Sequence, residues 1–422
     1  MTLAEIDRKY IWHPYTQMLT ADLPVEIIQA KDAYLFTSDG KKIIDAVSSW
    51  WTINYGHCHP YIISKLTEQL QTLDHVIFAG FTHPKAIEFA EKMIQILPGS
   101  QEKVFFSDNG STAVEVAVKM AIQYWQNQEK PRRKIIAIEG AYHGDTFGAM
   151  SVSARNAFNN AFEKYLFDVV YIPFPSEQNQ ERTVQTLEKL ADDDTIAFIY
   201  EPLVQGAAGM RIYSPEILNN LMEICRQKNI LCIADEVFTG FGRTGKNFAS
   251  EYLHFQPDIM CFSKGLTGGI MPMGVTSCSQ EIYDAFLSEN DISKTFFHGH
   301  SFTGNPLQCT AAAASIDLLT SAQIQDDITR ISEKQHTFAA ELDKTFPFVQ
   351  AKSLGTILSV EIQTKNAGYF NTLRNKVYAF FMANNILIRP LGNVFYVLPP
   401  YCISNEDLDY IYLKIKKFLS QS

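Results

Sequence analysis

Short apolar runs alternate with longer helical patterns through the middle of this chain, and that alternation constrains the fold more than any other feature of the sequence. The apolar runs have strand length and extend from KVFFSD at 103–108 to IMCFSKG at 259–265. Stretches of helical length, such as STAVEVAVKMAIQYWQ at 111–126, lie between them. Apolar strands that alternate with helices are typical of parallel sheets covered on both faces. The pattern therefore predicts an α/β fold with a mostly parallel central sheet flanked by helices.

A smaller α/β lobe is predicted from the two ends of the chain. PLQCTAAAASIDLLTSAQIQ indicates a helix over 306–325, and the shorter strand patterns TILSVEIQ, NILIRPL and VFYVLPP follow it. The first 50 or so residues contain YLFTSDGKKIIDAV, a hairpin pattern turning at Asp39-Gly40, but are too few to fold alone. We therefore predict an N-terminal segment joining the small domain, a large domain and a C-terminal small domain, at 1–54, 55–317 and 318–422.

Charge and composition narrow the classes of partner. The 422 residues carry a formal charge of −10. They contain no basic tract, so nucleic acid and anionic membranes are disfavoured and small polar ligands are favoured. The N-terminus lacks an apolar stretch of signal-peptide length, and no run of about 18 apolar residues occurs, so we expect a soluble cytoplasmic protein. Seven scattered cysteines without a CxxC motif indicate neither disulfides nor a zinc site.

Polar residues stand where the predicted strands end. Ligand sites in such sheets lie beyond the carboxyl ends of the strands, so one cleft could collect these residues. They are Asp108 to Ser111, Glu139 to His143, Glu201, Asp235-Glu236 and Ser263 to Gly265.

Lys264 is the first candidate among them. A lysine in apolar surroundings has its charged form disfavoured, and the neutral amine is the nucleophile that condenses with aldehydes. Asp235 ends the run ILCIAD, 29 residues earlier. Pyridoxal phosphate needs such a lysine, a carboxylate beside its pyridine nitrogen and a phosphate cradle. The alternatives are a lysine whose head reaches solvent and an aspartate that only caps a turn.

Gly110-Ser111-Thr112 could provide the phosphate cradle. These residues lie between a strand and a helical pattern, where free N–H groups and a hydroxyl would face an anion. A simple helix N-cap explains the same residues. Ser301, in HGHSFTGN, is a weaker candidate for the same role.

Tyr142 and Arg389 are candidates for contacts with a flat ring and with a substrate carboxylate. Tyr142 follows a strand and could stack on a ring, although core packing explains an aromatic equally well. Arg389 stands in an apolar strand and could bind a carboxylate through two N–H groups, or form a buried pair with Glu201. Two further motifs, GFGRTG at 240–245 and GHCHP at 56–60, are interpreted as a turn and a polar loop rather than a dinucleotide or metal site.

Taken in order, these residues resemble the class III, ornithine-aminotransferase-like branch of fold-type-I pyridoxal phosphate enzymes. The resemblance runs nearly end to end and is carried by SDNGSTAVEVAVKMA, AYHGDTFGAMS, EPLVQGAAGM, IADEVFTGFGRTG, FSKGLTGG and GNPLQC. It implies Lys264 as the cofactor lysine and proton carrier, and Asp235 as the partner of the pyridine nitrogen. Tyr142 would stack on the ring, with Glu201 nearby. Gly110 and Ser111, together with His300 and Ser301 of a neighbouring subunit, would surround the phosphate, so the resemblance also implies a homodimer.

Three segments resemble the biotin-biosynthetic members of that family: IWHPYTQM at 11–18, SSWWTINYGHCHP at 48–60 and RPLGNVFYVLPPY at 389–401. The resemblance implies transfer of an amino group from S-adenosylmethionine to 8-amino-7-oxononanoate, whose carboxylate Arg389 would bind. Arg243 and Asp145 resemble residues near the donor. The implied substrate pocket consists of Tyr15, Trp50, Tyr142, Lys264, Gly299, Arg389 and Tyr396, with Tyr15 also close to the chemistry.

Other functions stay open at this point. Better-known members carry Gly-Pro-Thr where this chain has Gly299-His300-Ser301, and the GHSFTGN form also resembles relatives that use lysine as donor. A second class III aminotransferase acting on an ω-amino acid would share every cofactor residue. A cofactor-free lysine aldolase and a non-catalytic binding protein on the same scaffold are the remaining alternatives.

Overall fold

The computed structural model describes residues 1–156, 158–364 and 373–421. Short 3-10 helices cover Asn160–Tyr165, Ala249–Tyr252, Lys264–Thr267 and Ile292–Lys294. The strands are β1 (Ile27–Lys31), β2 (Tyr34–Thr37), β3 (Lys42–Asp45), β4 (Gln101–Ser107), β5 (Lys134–Ile138), β6 (Val170–Ile172), β7 (Thr195–Tyr200), β8 (Val204–Gln205), β9 (Arg211–Ile212), β10 (Leu231–Asp235), β11 (Ile259–Phe262), β12 (Gly274–Ser279), β13 (Val349–Leu354), β14 (Ile357–Ile362), β15 (Ile386–Leu387) and β16 (Val394–Val397). The helices are α1 (Leu3–Tyr10), the irregular turn α2 (Ser48–Trp51), α3 (Pro60–Leu70), α4 (Pro84–Ile96), α5 (Gly110–Asn127), α6 (Phe147–Val152), α7 (Gln180–Leu190), α8 (Pro215–Gln227), α9 (Gln280–Asp284), α10 (Pro306–Leu319), α11 (Ala322–Thr345), α12 (Leu373–Ala383) and α13 (Asn405–Leu419).

The central sheet has the order β4-β12-β11-β10-β7-β5-β6 in the described residues. Strands β11, β10, β7, β5 and β6 are parallel neighbours, while β12 runs antiparallel between β11 and β4. The predicted α/β fold with a mostly parallel sheet is confirmed. The sequence did not predict β12, because its buried Thr276 and Ser277 break the apolar pattern. Both hydroxyls have acceptors inside the protein: Thr276 donates to Ala113 O at 2.8 Å, and Ser277 donates to Gln101 Oε1 at 2.6 Å.

Helices cover both faces of this sheet. Helix α5 contributes buried Ala113, Ala117 and Ala121 to one core cluster, together with residues of β5, β7 and β11. On the other side α10 packs against α3 and α4 and buries Ala311 to Ala314, whose small side chains allow close approach of the helices. This double cover explains why the strands are nearly continuous apolar runs.

The N-terminal strands pair with a C-terminal strand. The sheet β1-β2-β3-β15 includes the hairpin predicted at Asp39-Gly40, where Gly40 has φ +83°, and β3 pairs with β15 in parallel. A second sheet, β13-β14-β16, lies in the C-terminal part. The domain bounds 1–54, 55–317 and 318–422 stay a prediction, and α10 continues two residues past the predicted bound at 317.

The single helix predicted over 306–325 is wrong. Helix α10 ends at Leu319, and Ser321 then accepts a hydrogen bond from the Ile324 amide and caps a new helix, α11. The Thr-Ser pair between two helical patterns was the feature that could have indicated this break. Within the described ranges, no helix is both long and apolar enough to cross a membrane.

Candidate active site

Four parallel strand ends and one helix N-terminus meet along one edge of the central sheet. Lys264 lies just after β11, Asp235 ends β10, Glu201 follows β7 and Tyr142 lies beyond β5. The N-terminus of α5, with Gly110 and Ser111, follows β4 on the far side of β12. The structure therefore brings together the residues that sequence analysis expected to share a cleft.

The Lys264 side chain lies between aromatic rings rather than at the outer surface. Its Nζ is 5.0 Å from the centre of the Trp51 ring and 5.9 Å from that of Phe238. Among the described residues Nζ has no hydrogen-bond or salt-bridge partner. Burial lowers the pKa of Lys264, and the nearby carboxylates of Asp235 and Glu201 oppose that effect in part. A neutral, nucleophilic amine is therefore more accessible here than on an ordinary surface lysine.

Asp235 is held by a histidine that sequence analysis had not assigned a role. His143 Nδ1 lies 2.7 Å from Asp235 Oδ2, and the Val237 amide donates to Oδ1 at 3.1 Å. Both side chains are buried. His143 Nε2 is also buried, yet no group in the described residues bonds it. The position of His143 after β5, at the same sheet edge as Asp235, was the indication available in the sequence.

The α5 N-terminus leaves backbone donors free for an anion. Asn109 is the N-cap: its side chain accepts from the Thr112 amide at 3.0 Å, and Thr112 Oγ1 accepts from the Asn109 amide at 3.0 Å. The following N–H groups, at Gly110 and Ser111, have no acceptor within the helix. A side chain at Gly110 would lie 2.7 Å from a Val237 methyl group, so the glycine allows close packing. The capping role thus belongs to Asn109, which leaves Gly110 and Ser111 to form a cradle.

Ser111 also supports the neighbouring turn. Its Oγ accepts from the Thr146 amide at 2.9 Å and lies 2.8 Å from Thr146 Oγ1. The cradle, the amine of Lys264 and the oriented carboxylate of Asp235 together match what pyridoxal phosphate requires. The unpartnered Nε2 of buried His143 is consistent with a bound group beside it.

The 298–301 segment lies beside the cradle in the same chain. His300 Nδ1 is 3.2 Å from Asp108 Oδ2, and His298 Nε2 is 3.2 Å from His300 Nε2. Ser301 is exposed, and a Cβ added at Gly299 would meet no other atom. The predicted contribution of His300 and Ser301 to a neighbouring subunit stays a prediction.

Aromatic and acidic groups surround the mouth of the cleft. Tyr15 OH donates to Asp145 Oδ2 and lies 3.1 Å from Tyr142 OH. The Tyr15 ring lies 5.7 Å from Trp50 and 6.0 Å from Phe158. Burial, the largest cause, raises the pKa of Tyr142, and the nearby Tyr15 and Asp145 groups raise it further. Its hydroxyl therefore stays protonated at neutral pH.

Arg389 lies at the same mouth with its charge available. Its guanidinium carbon is 4.5 Å from the centre of the Trp50 ring, and among the described residues no carboxylate pairs with it. Glu201 instead accepts from the amides of Tyr142 at 3.0 Å and Gly206 at 2.9 Å, so the alternative of an Arg389–Glu201 pair is wrong. Burial raises the pKa of Glu201 to about 7.

Trp51 was missed by sequence analysis, although it lies beneath Lys264. Its Nε1 donates to Tyr396 OH at 2.9 Å, and Tyr396 is almost fully buried behind it. Predicted substrate contact by Tyr396 stays a prediction. The adjacent tryptophans in SSWW were the available indication, of which sequence analysis selected only Trp50.

Arg243 joins several backbone segments. It donates to Pro399 O at 3.0 Å and to Asn54 Oδ1 at 2.7 Å, and it is buried over the Tyr401 ring. A dinucleotide fingerprint would lead into a long helix. The GFGRTG motif around Arg243 leads instead into a short 3-10 turn. Across the described ranges, no three His, Cys, Asp or Glu side chains are grouped as a metal site.

Comparisons with known proteins agree with this geometry. The family model for aminotransferase class-III matches residues 16–419. The chain is similar to the adenosylmethionine-8-amino-7-oxononanoate aminotransferase of Synechococcus elongatus, at 45% identity over 98% of this chain and 99% of the relative. It is similar to the crystal structure of the enzyme of that name from Methanocaldococcus jannaschii, at 33% identity and a TM-score of 0.94, covering 100% and 99% of the two chains. The omega transaminase of Pseudomonas jessenii in complex with PMP is 25% identical, with a TM-score of 0.94 and coverage of 100% and 98%.

Proposed function

The chain belongs to the class-III aminotransferase family, and from that premise we propose that it transfers an amino group from S-adenosylmethionine to 8-amino-7-oxononanoate, giving 7,8-diaminononanoate in biotin biosynthesis. Family membership makes it a pyridoxal-phosphate-dependent aminotransferase. The choice of substrates is supported by relatives that carry this name and are similar over nearly the whole chain. The observation in the site that carries the proposal is the guanidinium of Arg389, which lies on the face of Trp50 and has no carboxylate partner among the residues that the structure describes.

Lys264 and Asp235 are assigned the central roles in both halves of the reaction. When bound, pyridoxal phosphate supplies an aldehyde that takes up the amino group and a ring that withdraws electrons from the carbon losing a proton. Lys264 Nζ acts as nucleophile and then carries the proton from that carbon, a task that its lowered pKa favours. Asp235, fixed by His143, holds a proton on the pyridine nitrogen. The two halves alternate, so the kinetics are those of double displacement.

Arg389 and the aromatic mouth are assigned to the acceptor. The Arg389 guanidinium, which no carboxylate of the described residues engages, can bind the terminal carboxylate of 8-amino-7-oxononanoate through two parallel hydrogen bonds. The indole of Trp50 and the ring of Tyr15 would cover the apolar chain between that carboxylate and the ketone.

S-adenosylmethionine is the proposed donor, and lysine is the alternative. The relatives are named for adenosylmethionine. The alternative is favoured by Gly299-His300-Ser301, which departs from the Gly-Pro-Thr of better-known members of the resembled family. Both donors carry an α-amino acid group, so the cofactor residues do not distinguish them.

A homodimer is part of the proposal. Ile77, Phe81, Phe297 and Phe302 are between 56% and 70% exposed, and large apolar side chains grouped on a surface are candidates for a protein–protein contact. The Phe302 ring lies 5.2 Å from His75, and a side chain at Gly304 would meet Phe78 at 2.9 Å, so the 75–78 segment lies beside the 302–304 segment. We refer to the four exposed side chains on and next to these segments as the apolar surface. The 298–301 segment lies within this surface, as expected if it completes the site of a partner.

Product formation tests the function directly. The purified protein, supplied with pyridoxal phosphate and 8-amino-7-oxononanoate, is incubated with S-adenosylmethionine or with lysine, and 7,8-diaminononanoate is measured by mass spectrometry. The proposal expects the diamine with S-adenosylmethionine and little with lysine. If the diamine forms only with lysine, lysine and not S-adenosylmethionine is the amino donor. If the protein converts a simple ω-amino acid and forms no diamine, the proposed acceptor is wrong as well.

A further inference from the structure

The backbone between β3 and the two tryptophans is strained. Ser48, Ser49 and Trp51 have φ values of 50°, 60° and 66°, and Ser49 combines its φ with ψ −78°. Residues other than glycine rarely adopt such conformations. Each is unfavourable and persists only where the surroundings hold it in place. Strain of this kind in three of four consecutive residues indicates that the segment serves a purpose beyond connecting two elements.

The positions of the adjacent Trp50 and Trp51 indoles indicate that purpose. In a strand neighbouring side chains point to opposite faces, and in a helix they diverge by about 100°. Here Trp51 lies under Lys264, 5.0 Å from Nζ, whereas Trp50 lies against Arg389 at 4.5 Å and Tyr15 at 5.7 Å. The strained turn therefore allows two successive residues to line the floor and the mouth of one cleft.

One buried carboxylate holds this turn. Asp45, the last residue of β3, is fully buried. Its Oδ1 accepts from the amides of Val47 at 3.2 Å and Ser49 at 2.9 Å, and its Oδ2 accepts from Ser49 Oγ at 3.0 Å. His57 Nε2 lies 2.9 Å from Oδ2. These four contacts use the acceptor capacity of an ionised carboxylate, so His57 is the donor in the fourth.

His57 itself is anchored by its backbone. It exchanges two hydrogen bonds with Asp32, at 3.1 Å and 2.7 Å. The Asp45–His57 contact thus ties the start of the turn to a fixed point beyond its end. A further tie runs from Ser48 Oγ to Leu398 O at 2.8 Å.

We propose that Asp45, together with His57, is a positioning residue for the acceptor pocket: it holds the strained turn so that Trp50 and Trp51 face Arg389 and Lys264. The inference rests on the proposed function for the identity of the acceptor. Asp45 touches neither substrate nor cofactor and acts through the two indoles.

The test compares holoenzymes carrying Asp45→Ala, Asp45→Asn or Asn219→Ala with the wild type. Asn219 is a matched control because its buried Oδ1 also accepts from two backbone amides, of His254 and Phe255, outside the cleft. Asp45→Asn keeps an acceptor for the Val47 and Ser49 amides but disturbs the contact with His57. KM and kcat for 8-amino-7-oxononanoate are measured, together with hydrogen exchange of the peptide covering residues 46–53.

Asp45→Ala is expected to raise KM for the ketone and to lower kcat/KM by about 100-fold, the loss that a displacement of about 1 Å can cause. Hydrogen exchange of the 46–53 peptide is expected to become faster in Asp45→Ala. The exchange rate of Asp45→Asn should lie between those of Asp45→Ala and the wild type. Asn219→Ala should lower thermal stability only. The inference is overturned if both Asp45 variants match Asn219→Ala in KM and exchange. Absence of turnover in the wild type would instead reject the proposed function, while the exchange comparison would still decide the role of Asp45.

Discussion

At the residue scale, the candidate site depends on charges that the protein leaves unpaired. The Lys264 amine and the Arg389 guanidinium have no ionic partner among the described residues, although Asp235 and Glu201 lie close to the lysine. Most buried or clustered charges in proteins are paired. An amine whose charged form is disfavoured by burial, and a guanidinium without an ionic partner in the described residues, therefore suit a ligand that has a carbonyl at one end and an anionic group at the other.

The role of Arg389 gives a residue-scale prediction. Arg389→Ala should lower kcat/KM for 8-amino-7-oxononanoate by about 10- to 100-fold, since a charge-assisted hydrogen bond contributes about 1.5–3 kcal/mol. The rate of the half-reaction with the donor should change little. Stopped-flow measurement of each half-reaction separates the two effects. Arg374→Ala, on the small-lobe helix α12, is a suitable control, and equal slowing of both half-reactions would remove Arg389 from the acceptor site.

At the element scale, the strand ends were predictable and the connections were not. Lys264, Asp235 and Glu201 follow continuous apolar runs, so their position at one sheet edge follows from the strand pattern. The strand pattern places His143 at the same edge, but it does not reveal the contact of His143 with Asp235 or the roles of Asp45 and Trp51. Their roles depend on hydrogen bonds and ring contacts between segments distant in the sequence, such as Trp51 with Tyr396. Strand β12 was missed for a related reason, because its hydroxyls find partners only in the folded sheet.

Asp258, in the connection between β10 and β11, leads to a prediction about how the stability of the fold depends on pH. Burial raises the pKa of Asp258 from 3.8 to about 6, while its Oδ2 accepts from the Cys232 amide at 2.7 Å. Because the folded pKa is the higher one, this group contributes stability below about pH 3.8 that is lost as the pH rises through 6. One pKa unit corresponds to about 1.4 kcal/mol, so the loss is about 3 kcal/mol.

Asp258→Asn should remove this dependence, since an amide oxygen can still accept the Cys232 hydrogen bond and carries no charge. The thermal midpoint of the variant should rise relative to that of the wild type as the pH is raised from 4 to 7, with most of the change below about pH 6. The exposed Asp193→Asn serves as the control. A difference between variant and wild type that stays constant over this range would show that burial of the Asp258 charge does not destabilise the fold.

At the scale of the whole molecule, the exposed Phe297 and Phe302 flank the 298–301 segment, which lies beside the cradle through the contact of His300 with Asp108. Arg389 and Tyr396, which are predicted to contact the substrate, come from the C-terminal part of the chain, whereas the residues assigned to the cofactor lie at the strand ends of the large sheet. The pairing of β3 with β15 brings the N-terminal segment that carries Trp50 next to the segment that carries Arg389.

The apolar surface leads to a prediction about assembly. Light scattering should give twice the mass of the chain for the wild type. Phe81→Glu should shift the protein toward monomer and weaken cofactor retention, because it places a charge in the predicted interface. Leu413→Glu, on the exposed side of α13, should leave the mass unchanged. A monomeric, fully active wild type would contradict the proposed dimer.

The central claim is that amino transfer passes through Lys264, and the visible absorption spectrum of the holoenzyme tests it most directly. In the wild type and in the surface variant Lys130→Ala, S-adenosylmethionine should bleach the visible band of the cofactor, and 8-amino-7-oxononanoate should then restore it. In Lys264→Ala this cycle should be lost while the far-ultraviolet circular dichroism remains that of the wild type. A spectral cycle in Lys264→Ala at a rate close to that of the wild type would contradict the account.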